Sequence, residues 1–219
     1  MDENFAGFLE DFGQPTSKVE APASVIERFR GKLPNQLLEY WKAFGFCSFQ
    51  NGLFFIVNPD DYTPALAAWI GDTDAAKLDS FHVIGRTAFG NLYLWGKKTG
   101  HRYVVSVING TIYEQSGDEK RIVERGEDYA MQLFFGVKDP KNCDVQDEEN
   151  KPLFEHAVKK LGPLGPDEVF AFEPAIGAGG VADLKNIKKR NVHVYLSLLA
   201  QMCPRSVMDL KTLRSHLHG

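Results

Sequence analysis

The run Gly177-Ala178-Gly179-Gly180-Val181-Ala182 has the spacing of a cofactor loop, fitting G-x-G-x-x-[GA] just after an apolar strand. In a dinucleotide site such glycines let backbone amides approach a pyrophosphate at a helix N-terminus. Only 37 residues follow Ala182, too few for the remaining βαβ units. No acid stands about twenty positions on to hold a ribose, since Asp209 lies well past that mark. A turn that lets two segments pack closely accounts for the glycines better. A small nucleotide-binding protein or hydrolase using Gly177–Gly180 is kept as the alternative.

The histidines His82, His101, His156, His193, His216 and His218 are the other candidates for proton transfer or metal binding, and none falls in H-E-x-x-H or a comparable ligand spacing. Cys47, Cys143 and Cys203 are scattered, without a CxxC pair or a Cys/His cluster, so neither a disulfide framework nor a zinc site is legible. Cys47 reads as core on an aromatic strand, and G-x-S-x-G is absent. Asp60-Asp61 suits the start of a helix, where carboxylates are favoured. The expectation is a protein that is not an enzyme and holds no cofactor or metal.

Charge separates along the chain. Residues 1–182 carry 18 basic and 27 acidic groups, while 183–219 carry 7 basic and 2 acidic. The formal total of −4 argues against direct nucleic-acid binding, which needs clustered Lys and Arg. Lys185, Lys188, Lys189 and Arg190 form a basic run that a solvated helix face explains as well as a phosphate contact does. The start Met1-Asp2-Glu3-Asn4-Phe5 lacks a signal-peptide pattern, and the best apolar run, Val192–Met202, is 11 residues, short of a bilayer span. A cytoplasmic protein without a membrane partner is expected.

These residues must be positioned by an α+β body. Phe5, Phe8, Leu9 and Phe12 have the spacing of one helix face. Ser24 is placed to cap a helix over Val25–Gly31, and Pro34 to open Asn35–Phe44, with Gly45 closing it. Asn51-Gly52 between Phe46–Phe49 and Leu53–Val57 signals a two-residue hairpin. Pro59–Ile70 reads as a helix. Phe81–Gly85, Leu92–Trp95, Arg102–Ile108 and Thr111–Glu114 read as strands joined by short turns, which implies an antiparallel meander. Tyr129–Val137 is expected to cover that sheet as a helix. Asp139–Glu155 holds six acids and two lysines and reads as a solvated linker. Beyond it, Leu153–Leu161, Leu184–Lys189 and Val192–Met202 read as helices and Val169–Phe172 as a strand. Trp41, Trp69 and Trp95 are expected in the core.

Several stretches together resemble a known family. Gly31-Lys32-Leu33-Pro34, Leu37-Leu38-Glu39-Tyr40-Trp41, Asn51-Gly52-Leu53-Phe54 and Thr87-Ala88-Phe89-Gly90-Asn91-Leu92-Tyr93-Leu94-Trp95-Gly96 resemble the GAD-like domain. Lys160-Leu161-Gly162-Pro163-Leu164, Phe172-Glu173-Pro174-Ala175 and Leu196-Ser197-Leu198-Leu199-Ala200-Gln201 resemble the C-terminal domain of type VI secretion immunity proteins. On this reading residues 1–138 form a GAD-like α+β domain with an antiparallel meander sheet and packed helices. Residues 139–150 form an acidic linker, and 151–219 a small, mainly helical immunity domain.

The resemblance implies a stoichiometric inhibitor of a cognate type VI effector toxin, a DNase, that blocks or distorts the toxin's active site. A nuclease presents positive charge to its substrate, so acidic groups suit the partner-facing surface. The acids singled out are Glu114, Asp118, Glu119, Glu124, Asp144, Asp147, Glu148 and Glu149.

Overall fold

The computed structural model describes residues 1–209. Asp2 caps the first helix, α1 (Glu3–Phe12), its carboxylate accepting from the Phe5 amide at 3.0 Å. The face read from the spacing is the buried one: Phe5, Phe8, Leu9 and Phe12. Strand β1 (Ser17–Val19) follows where only a loop was expected. Helix α2 (Ala23–Phe29) starts after Pro22 with no side-chain cap, so Ser24 sits inside its first turn and does not cap it. Helix α3 (Asn35–Phe44) ends at Gly45, φ 71°, whose amide returns to the Trp41 carbonyl. A Cβ on Gly45 would stand 2.2 Å from the Val19 carbonyl oxygen, so glycine here also lets β1 pass.

Strands β2 (Phe46–Phe49) and β3 (Phe54–Ile56) form the expected hairpin, but its loop is longer than two residues. Phe49 pairs with Phe54, and Gln50, Asn51 and Gly52 all take positive φ between them. A two-residue turn at Asn51-Gly52 would set the same register, since Gln50 opposite Leu53 also places Phe49 opposite Phe54. After a 3₁₀ turn at Pro59–Tyr62 come α4 (Thr63–Ile70), α5 (Ala75–Leu78) and the remaining meander. Its strands are β4 (Phe81–Thr87), β5 (Leu92–Gly96), β6 (Tyr103–Ser106) and β7 (Thr111–Glu114), followed by α6 (Glu119–Arg125) and α7 (Glu127–Gly136). Phe5 of α1 stacks on Tyr40 of α3 and meets Phe135 of α7 edge-on, an aromatic layer over the sheet.

The later residues add α8 (Phe154–Leu161), β8 (Glu168–Phe172), β9 (Ile187–Asn191), α9 (Val192–Met202) and β10 (Ser206–Asp209). Leu184–Lys189 is therefore not a helix. A turn at Leu184–Asn186 leads into β9, which pairs antiparallel with β8, Phe170 opposite Lys189. The basic spacing that looks helical is the alternation of a strand: Ile187 points inward, Lys188 and Arg190 outward. The main sheet has eight strands in the order β1-β2-β3-β4-β5-β6-β7-β10, antiparallel except for β10, which runs parallel to β7.

The two halves share one hydrophobic cluster. Trp69 of α4 donates to the Leu196 carbonyl of α9 at 3.1 Å, Phe170 donates its amide to Ala88, and Phe89 stacks on Phe172 at 5.7 Å. The acidic stretch is tied to this body. Cys143 is buried at the end of a 3₁₀ turn, and the Asp144 carboxylate accepts from the amides of Val145 and Phe154. Trp41, Trp69 and Trp95 are all core residues, as is Cys47. No helix among the described residues is long and apolar enough to cross a membrane.

Candidate partner interface

Four of the acids gather where β7 runs into α6. Glu114 accepts from Arg102 Nε at 2.9 Å and Nη2 at 2.6 Å, and Glu119 takes the same guanidinium through Nη1. Glu124 faces Lys120 one turn away at 3.7 Å, a solvated pair of little energetic weight. Asp118 is different in kind. It is buried, accepts the His101 amide at 2.9 Å, pairs with Arg121, and gives its own amide to the Thr99 carbonyl. It braces the β5–β6 turn and presents little surface to a partner.

The other four lie in the turn before α8. Asp144 is spent on backbone amides, and burial, partly offset by those bonds, raises its carboxyl above the usual range. Asp147 closes the turn by accepting from the amides of Glu149 and Lys151, with Asn150 at φ 61°. Glu149 pairs with Lys151, and Glu148 and Glu149 are exposed. The structure thus makes two clusters, not one patch. A cleft lies between them, lined by Tyr113 and Gln115 beside Glu114 and by Asn142 and Cys143 beside Asp144.

A seam that the sequence reading missed joins the halves at Arg86. Its side chain is fully buried, with Nε donating to the Tyr62 hydroxyl at 2.8 Å, Nη1 to the Thr87 carbonyl and Nη2 to the Pro166 carbonyl at 2.8 Å. The guanidinium also lies 3.5 Å over the Phe55 ring. A charged residue after Val83-Ile84-Gly85 in an apolar strand was the signal available. Above it opens a cleft of about 200 Å³ whose rim carries Asp61, Asp167 and His193. His193 Nε2 stands 3.7 Å from the Asp167 carboxylate, and among the described residues no nucleophile is hydrogen-bonded to it.

The glycine loop has no helix behind it. Ile176–Ala178 form a single 3₁₀ turn, and the chain reaches strand β9 through a second. A Cβ on Gly180 would fall 2.0 Å from the Pro174 carbonyl oxygen, and one on Gly177 2.6 Å from Cys203 Sγ. Close packing demands these glycines, and the helix N-terminus that a phosphate needs is missing. The basic run is largely engaged: Lys185 with Asp183, Lys189 with Glu168, Arg190 with Glu173. His82 sits edge-on to Phe29, and His156 is exposed. His216 and His218 lie outside the described residues. Among the described residues no group of His, Cys, Asp or Glu is arranged to hold a metal.

Comparison with known proteins gives the family. Residues 3–109 match the family model of the GAD-like domain, and residues 128–203 that of the T6SS immunity protein Tdi1, C-terminal. Among solved structures, that of Atu4351 from Agrobacterium tumefaciens has the same fold, with a TM-score of 0.82 at 21% identity over 95% of this chain and 92% of that one. No curated protein matches the chain. The chain accordingly belongs to the type VI immunity proteins that join a GAD-like domain to a Tdi1-type C-terminal domain.

Proposed function

We propose that the protein binds a cognate type VI effector, a DNase, and neutralises it by covering or distorting its active site. The match of residues 128–203 to the Tdi1 C-terminal domain carries this reading. The shared core favours a preformed surface, which loses little conformational freedom on binding. Two surface features suit such a partner. Glu148 and Glu149 project from the turn before α8 and would attract a basic nuclease. On α9, Val194, Leu198 and Met202 repeat every fourth residue and remain 67%, 48% and 54% exposed, an apolar stripe able to anchor a contact.

Of the eight acids, Glu114, Glu119, Glu124, Asp147, Glu148 and Glu149 are proposed to face the partner, while Asp118 and Asp144 act inside the fold. The protein would act in the cytoplasm, where a delivered DNase meets its substrate. The test is co-expression with effectors encoded beside its gene. Survival of cells that otherwise lose their DNA, together with co-purification of the pair, is the expected result. Continued DNA loss despite full expression of this protein would reject the proposal.

A further inference from the structure

The cleft above Arg86 is walled by both halves of the chain. Strands β2 and β3 supply Phe46 and Ile56, the turn at Pro59–Tyr62 supplies Asp61 and Tyr62, and the later residues supply Asp167 and His193. Its walls are mainly apolar, and its exposed carboxylates stand at the rim. At about 200 Å³ it is smaller than the roughly 300–1,000 Å³ of sites that enclose small molecules. One side chain fills such a space.

The two rim acids differ from their neighbours in sequence. Asp60 is paired with Arg28, and Glu168 with Lys189. Among the described residues the Asp61 carboxylate has no hydrogen bond or ion pair, and Asp167 meets His193 at 3.7 Å, beyond hydrogen-bond reach. Both charges are felt at Tyr62: burial raises its hydroxyl, Arg86 opposes that, and Asp167 and Asp61 add to it. The Arg86 donors are spent on three oxygens inside the fold. Two carboxylates against one guanidinium leave a negative charge over.

An occupant that matches this cleft brings an apolar stem for the walls and a cationic head for the rim. Arginine and lysine are built that way. The flat guanidinium fork suits two carboxylates on separate segments better than a compact ammonium does. A nuclease carries such side chains on the surface it presents to DNA. The cleft also adjoins an apolar contact surface, since His193 stands in the first turn of α9, whose Val194, Leu198 and Met202 remain exposed.

We propose that this cleft seats one arginine side chain of the effector, its stem against Phe46 and Ile56 and its guanidinium between Asp61 and Asp167. The seat presupposes the inhibitor role proposed above and adds the seam between the halves to the contact surface. Charge at an enclosed seat acts on how long the complex lasts, whereas charge on an open turn acts on how fast it forms.

The test follows binding of the whole protein to the effector encoded beside its gene by surface plasmon resonance. Asp61→Asn combined with Asp167→Asn, both at exposed positions, should speed dissociation roughly tenfold and leave association within about twofold. In double-mutant cycles one effector arginine should lose its effect once Asp167→Asn is present. Unchanged dissociation, or a change confined to association, would overturn the seat while the inhibitor role stands. No binding by the native protein would reject the inhibitor role and the seat together. Nuclear magnetic resonance of the native protein with N-acetyl-arginine methylamide separates the sources of the cation. Shifts at Tyr62, Asp167 and His193 should saturate only in the millimolar range, and the citrulline analogue should give none. Micromolar saturation would make the occupant a free small molecule, and equal responses to both analogues would remove the carboxylates from the seat.

Discussion

Arg86 and Lys138 are two cations enclosed by the same fold, and they are treated in opposite ways. The Arg86 guanidinium reaches three oxygens on three segments and lies over Phe55. Among the described residues the Lys138 ammonium meets two rings and no hydrogen-bond acceptor. A planar fork spreads its charge over several neutral acceptors, so it joins β4 to the turn before β8 without a counter-ion. A compact ammonium in the same predicament loses its proton more readily. The first arrangement builds the seam between the halves, and the second leaves an amine against two rings at the wall of a cleft.

The sharpest way to break this contrast is Arg86→Met. Removing the guanidinium orphans the Tyr62 hydroxyl and the Pro166 carbonyl, while the Thr87 carbonyl keeps the Gly90 amide, and should cost roughly 3–5 kcal/mol in denaturant unfolding. A cost below about 1 kcal/mol would mean that Arg86 does not hold the seam. His101 comes next. Its folded pKa of about 3 lies below the unfolded value, so its contribution to stability is complete above pH 6.5 and lost as the pH falls toward 3. Acid unfolding across that window should weaken stability by about 3 kcal/mol, and His101→Phe should flatten the profile.

Lys138 should act with a smaller effect at the other end of the scale. Between pH 7 and 10.5 the unfolded chain binds more protons at this residue than the native one, so stability should rise with pH. Lys138→Met should remove that slope and stabilise the protein at pH 7 by about 1–2 kcal/mol, the lost cation–π attraction offsetting part of the gain. The least effect on stability is expected from reversing Asp147, Glu148 and Glu149 to Lys. If the turn faces a basic effector, stopped-flow association at low salt should slow by roughly tenfold, and an unchanged rate would remove the turn from the interface.

What was legible in the sequence was local. Phe5, Phe8, Leu9 and Phe12 announce α1, Pro34 and Gly45 frame α3, and Thr111–Glu114 is a strand as read. Strands β1 and β10 were invisible because three or four residues acquire strand character only from β2 and β7 beside them. The acidic residues were visible as charge, but not the amides that occupy Asp118 and Asp144. The Lys138 cleft draws on β5, the β5–β6 turn, β6, β7, the residues just after α7 and the 3₁₀ turn at Pro140–Cys143. No spacing along the chain connects these segments.

The central claim is that this surface silences a DNase. Its most direct measurement is titration of a purified cognate effector's DNA cleavage with the native protein. The account predicts cleavage falling linearly and ending at one equivalent, as tight stoichiometric binding requires. Undiminished cleavage in the presence of excess protein would contradict it.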